Sequence, residues 1–151
     1  MRRLSGFLLA AAIMVLPTFS PLGTAHAQDA LTFSGDVAIL SIAIKPDKTA
    51  DFEQVMMKVR EALLQSASAQ RKQQAAGWKV VKSGTPMPDG NVVYTHVISP
   101  VVGGADYAIM TILYEAFEDP AERTRLYDMY SAAFGAALGA NVGTVVVDLS
   151  R

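Results

Sequence analysis

The sequence predicts an α+β domain. Three observations carry that expectation: a Val/Ile-rich apolar run bounded by Gly35 and Pro46, helical periodicity between further β-rich runs, and Gly/Pro/Ser-rich turns separating them. Gly35 to Ile44 (GDVAILSIAI) reads as a strand buried on both faces, with Val37, Ile39 and Ala43 pointing one way and Ala38, Leu40, Ile42 and Ile44 the other. Thr49 is then expected to cap a helix with Asp51 and Glu53 in its first turn and Phe52, Val55, Met56, Val59 and Leu63 at helical spacing. The serines at Ser66 and Ser68 end it, and a short helix capped by Ser68 runs from Gln70 to Ala76 until Gly77 stops it.

Trp78 to Lys82 (WKVVK) and Asn91 to Ile98 (NVVYTHVI) read as the arms of a hairpin, joined by the turn-rich Ser83 to Gly90. Asp106 is expected to cap a helix carrying Ile109, Ile112, Leu113, Ala116 and Phe117. Asp119, Pro120 and Glu122 supply a cap, a first-turn proline and a capping-box acid for the next, whose apolar face holds Leu126, Tyr127, Tyr130 and Phe134. The alanine-rich Ser131 to Ala140 tract is expected as a loose helix end, and Thr144 to Leu149 (TVVVDL) as the last strand. The resulting order, β–α–β–β–α–β, is the split pattern of ferredoxin-like folds: a four-stranded antiparallel sheet with strands one and three central and helices on one face. Because the first strand is apolar on both sides, the open face is an expected interface, and a homodimer packing two sheets face to face is its economical cover.

The chain has 151 residues, 51% of them apolar, with Lys+Arg 13, Asp+Glu 14 and no cysteine. Residues 1–27 combine Arg2 and Arg3, an apolar run from Leu4 to Leu16, Pro17, and Ala25-His26-Ala27 before Gln28, the composition of a Sec-type signal peptide cleaved after Ala27. The run of about 13 residues falls short of the roughly 20 that span a bilayer, so no stable membrane association is expected after cleavage. Residues 28–34 then form an N-terminal extension and 35–151 a single domain, periplasmic or secreted. The absence of cysteine excludes thiol nucleophiles, thiolate metal sites and disulfide support, which again favours a partner subunit. A weakly acidic balance without a basic run speaks against nucleic acid.

Ile44-Lys45-Pro46-Asp47, Arg71-Lys72-Gln73-Gln74-Ala75-Ala76-Gly77-Trp78-Lys79-Val80 and Gly104-Ala105-Asp106-Tyr107 carry a resemblance to a bacterial group of small exported proteins. With its element order and its length, the stretch from residue 35 to 149 resembles the dimeric α/β-barrel superfamily, which includes the antibiotic-biosynthesis monooxygenase-like domains. The resemblance implies a fold and no single chemistry, because that superfamily is said to span cofactor-independent oxygenases of phenolic and quinone-type substrates, haem-degrading and haem-dependent enzymes, and members without known activity.

Once His26 departs, His96 is the only histidine, on one strand face with Val92, Tyr94 and Ile98. It reads either as a general base or haem ligand facing a pocket, or as a half-buried strand histidine hydrogen-bonded to a neighbour or packed at the dimer interface. Tyr94 is the candidate that would assist it. Trp78, Tyr107, Arg71 and Asn91 are candidate ligand contacts, for a planar substrate in the case of the aromatics and for an anion in the case of Arg71. The competing readings are large packing residues and an exposed polar helix turn. Glu115, Glu118, Asp119 and Glu122 lie at helix ends, where capping explains them. With one histidine no transition-metal site is expected, and Gly103-Gly104 lacks any nucleotide-loop context, so no cofactor is expected either. Three functions remain: a homodimer binding a small apolar or aromatic molecule between sheet and helices, a cofactor-independent oxygenase or isomerase on a phenolic or quinone-like substrate, and an interaction dimer without ligand.

Overall fold

The computed structural model describes residues 30–149, so the expected signal peptide at 1–27 lies outside the described residues. The elements run β1 (Val37–Ile44), α1 (Thr49–Gln65), α2 (Ala69–Gly77), β2 (Trp78–Lys82), β3 (Val92–Ile98), α3 (Ile109–Ala116), α4 (Pro120–Ala133) and β4 (Phe134–Gly143), with a 3-10 turn at Pro46–Lys48. The strands form one antiparallel sheet in the order β2-β3-β1-β4. This is an α+β architecture with four helices, compatible with a ferredoxin-like arrangement, each crossover holding two helices.

Several local signals act as the sequence implies. The Ser68 hydroxyl accepts from the Arg71 backbone N–H and Asp119 Oδ1 accepts from the Ala121 N–H, while Pro120 occupies a first-turn position that needs no donor. Others act differently. Thr49 is the first residue of α1 rather than its cap, because the Pro46–Lys48 turn delivers the chain already curled and Lys48 takes the cap position with no side-chain bond. Asp106 Oδ1 accepts from the Ala108 N–H, but α3 begins only at Ile109. Glu122 pairs with Arg125 at 2.8 Å, three residues on.

The last strand is the main correction. It is Phe134–Gly143 (FGAALGANVG), and the expected strand at Thr144 to Leu149 lies beyond it. The tract read as a loose helix end therefore leaves the helix at Ala133 and pairs antiparallel along β1, from Ile44↔Phe134 to Val37↔Gly143, with two register shifts. Small side chains permit the close approach: a Cβ on Gly135 would stand 3.0 Å from the Ala43 carbonyl oxygen. Weak strand propensity is overridden by a free edge that β1 offers at the right distance in the chain.

The helices cover the sheet face that carries Ala38, Leu40, Ile42 and Ile44 of β1. There Ile44, Val92 and Tyr94 meet Phe52 of α1 and Ala133 of α4, while Ala38 and Ile98 meet Tyr107. Above them α1 buries Val55, Val59, Ala62 and Leu63 against Met110, Ile112 and Leu113 of α3 and Leu126 of α4. Val37, Ile39, Val93, Val97 and Val81 on the opposite face belong to none of these clusters, and Ile39 and Val81 stay 41% and 53% exposed.

Gly77, where α2 turns into β2, sits under the Pro100 loop, and its carbonyl accepts from the Ser99 N–H at 2.8 Å. A Cβ there would meet the Pro100 carbonyl oxygen at 2.7 Å and the Pro100 nitrogen at 3.3 Å, both backbone atoms. Gly→Ala in a helix normally gains up to about 1 kcal/mol. Here Gly77→Ala is expected to lose roughly 1–3 kcal/mol in urea unfolding, and a neutral or stabilising result would refute the close approach.

Candidate functional site

His96 lies mid-strand in β3, opposite Leu40 of β1 and Val80 of β2. Trp78 opens β2 on the same face, two residues before Val80, and its indole N–H donates to His96 Nδ1 at 3.1 Å. An indole nitrogen can only donate, so Nδ1 must accept, and the proton of the neutral imidazole resides on Nε2. His96 is 5% exposed. Burial pushes its pKa down from 6.5 to about 4, which keeps the ring neutral at physiological pH.

Around this pair the aromatic residues nest. Trp78 and Tyr107 meet edge to face with centroids 5.5 Å apart, and Phe33 lies 5.3 Å from Tyr107. Between them is a cavity of about 110 Å³ lined by His96, Trp78, Tyr107, Leu40, Ile42 and Tyr130, with Leu31 and Phe33 at its edge. It lies between sheet and helices, where a pocket was expected, but is smaller than the roughly 300 Å³ at which ligand sites usually begin. The chain ahead of β1 forms part of its wall: Leu31 N–H donates to Asp106 Oδ1, and Tyr107 N–H donates to the Leu31 carbonyl, each at 2.8 Å. Among the described residues no buried side-chain nitrogen or oxygen lacks a partner. His96 Nε2 has no hydrogen-bond partner among the described residues and therefore keeps accessible surface, and the cavity is the space His96 lines.

The other candidates are not all gathered here. Tyr94 shares the strand face of His96, yet its hydroxyl donates to Glu53 Oε1 at 2.6 Å, with Lys82 Nζ on the same oxygen at 2.9 Å. These two hydrogen bonds, Tyr94 first, hold the Glu53 carboxyl below its ordinary range, and burial followed by the Glu53 bond holds the Tyr94 phenol above its own. Tyr94 is thus tied away from the cavity. Asn91 sits at the other end of β3, bonded to Asp89 at 2.9 Å.

Arg71 is neither in the cavity nor part of an exposed polar turn. Its guanidinium grips Glu115 of α3 through Nε at 3.0 Å and Nη2 at 2.7 and 2.8 Å, and Nη1 reaches both Gln74 Oε1 and the Asp106 carbonyl. Gln74, fully buried, adds a bond from Nε2 to that same carbonyl at 3.0 Å. This clamp holds α2 to the segment that carries Tyr107. Sequence reasoning missed Gln74, Tyr130 and the Leu31 and Phe33 wall. Tyr130 carried a signal, its i+4 spacing from Leu126, but that read as helix core; its phenol is pushed up by burial. Among the described residues no group of three His, Cys, Asp or Glu side chains is placed to hold a metal ion, and no helix is long and apolar enough to cross a membrane.

No family model matches the chain, and no curated protein or solved structure matches it either. The chemistry of the site rests on its own geometry.

That geometry sets a pH dependence. Because the folded pKa of His96 lies below its unfolded value, the unfolded chain binds this proton first. The stabilisation is complete above pH 6.5, falls as pH drops from 6.5 toward about 4, and changes no further below that. His96 is expected to account for a loss of about 3 kcal/mol over this window. His96→Gln keeps an acceptor for Trp78 without a titrating group, so its unfolding free energy is expected to fall less between pH 7 and pH 4. Equal slopes for the two proteins would overturn the assignment.

Proposed function

We propose that this chain is an exported homodimer of the ferredoxin-like α/β-barrel kind that binds a small aromatic molecule between its sheet and its helices. The observation that carries the reading is the cavity beside His96: aromatic and aliphatic walls with one histidine whose Nε2 hydrogen has no partner among the described residues. At about 110 Å³ the space is smaller than the engineered cavity of about 150 Å³ that accommodates benzene, so a single ring is the largest body it takes, and its polar substituent must reach toward the opening. The ligand best matched carries one acceptor, a carbonyl or quinone oxygen, toward Nε2. A base role for His96 needs a lone pair facing substrate, and the Trp78 bond occupies the one on Nδ1, which favours binding over proton abstraction. The expectation is tested by titrating benzaldehyde against benzyl-free buffer controls while following the Trp78 and His96 ring N–H resonances. Saturable shifts are expected for the native protein and none for Leu40→Phe, which fills the cavity; a native protein without saturable shifts would end the reading.

The homodimer is supported by apolar surface that the single chain leaves open. Beside Ile39 and Val81 on the uncovered face, Val146, Val147 and Leu149 beyond β4 are 91%, 67% and 93% exposed. Light scattering at micromolar concentration is expected to return the mass of two chains, and Ile39→Lys that of one. A native protein with the mass of one chain would refute the dimer.

A further inference from the structure

A second recess lies between α1, α2 and the start of β2. It measures about 260 Å³, with Met56, Val59, Leu63 and Trp78 among its apolar lining and Arg60 and Lys72 beside them. No acidic residue lines it. Most basic side chains of the described residues are engaged: Lys48, Lys58, Arg71, Lys82 and Arg125 in ion pairs, Lys45 and Arg123 on backbone carbonyls. Arg60, Lys72 and Lys79 make no such side-chain bond among the described residues, and two of these three border this one groove.

We propose that the α1/α2 groove is a binding site for a small amphiphilic anion, a carboxylate on a medium-length apolar chain or ring. Burial of the apolar body on Leu64, Met56 and the indole supplies the attraction, and the two cations without an ion-pair partner among the described residues select a negative head group over a neutral one. The charge argument is independent of the cavity beside His96, although Trp78 walls both spaces. A lone apolar groove would fit any hydrophobic body. Two cations without an ion-pair partner among the described residues, in a recess that no carboxylate lines, make the preference for an anion specific, and because both are exposed that preference weakens as salt rises.

Trp78 is the chain's single tryptophan, so its fluorescence reads the groove directly. With the full chain after its natural processing, decanoate below its micellar concentration is expected to give a saturable change in Trp78 emission, and decanol a weaker one. Arg60→Gln with Lys72→Gln is expected to weaken decanoate about fivefold, the effect of two exposed charge pairs, and to leave decanol unaltered. Both side chains are exposed, so the variant is expected to keep the native melting temperature, which circular dichroism checks. Leu40→Phe, which fills the inner cavity, is expected to leave the decanoate titration unchanged; loss of the response there would assign it to the inner cavity and overturn the groove. The proposal is equally overturned if decanoate gives no saturable change, or if the double variant binds decanoate as the native protein does.

Discussion

The pairing of β1 with β3 is the constraint on which the rest of the molecule depends. Its register runs from Ala38↔Ile98 through Leu40↔His96 to Ile44↔Val92, and one step of slippage would send every side chain to the opposite face. In this register Ala38, Leu40, Ile42 and Ile44 join Val92, Tyr94, His96 and Ile98 beneath the helices. Ser41 and Thr95 are left to share a hydrogen bond of 3.2 Å on the other side. The core and the uncovered face are thus two consequences of one ladder. His96 is carried into a buried setting by the same register, and its lowered proton affinity follows from that placement.

A polar device completes what the ladder begins. The segment from Ser99 to Ala108 has no strand or helix to satisfy its backbone, and it carries Tyr107 into the cavity wall. Arg71 and Gln74 on α2 converge on the Asp106 carbonyl, while the Asp106 side chain receives the Leu31 and Ala108 N–H groups. The Arg71 side chain is only 12% exposed. Its bidentate grip on the exposed Glu115 gives a mostly covered guanidinium the charged partner it requires. The aromatic nest is held from behind by charge-assisted bonds, which is why a residue that looks like an anion receptor in sequence serves as scaffold.

Much of the secondary structure was legible because its signals are local. WKVVK emerges as β2 at the expected bounds, Ser68 caps α2 through a turn of a few residues, and Asp119 with Pro120 starts α4. The pairing of Trp78 with His96 was legible only in part: both were candidates, but they lie 18 positions apart in sequence, and whether the indole N–H meets the imidazole across neighbouring strands depends on register. Arg71 and Tyr94 misled for a related reason. The polar tip of a long side chain goes to whichever partner folding brings within reach, here Glu115 at 44 residues and Glu53 at 41.

The sequence alone determined the α+β class, three of the four strands and the apolar character of both sheet faces, because periodicity, caps and turn residues act over a few positions; that one face of β1 stays uncovered, with Ile39 exposed, is a matter of tertiary packing. Only the tertiary structure decided the last strand. FGAALGANVG has poor strand propensity and TVVVDL a strong one, yet the former pairs with β1 since its small residues lie where the chain leaves α4 and can approach the Ala43 carbonyl. Tertiary packing also decided the size of the space beside His96, for a cavity is what remains after side chains from β1, β2, β3, α4, the start of α3 with the loop before it, and the segment ahead of β1 have met.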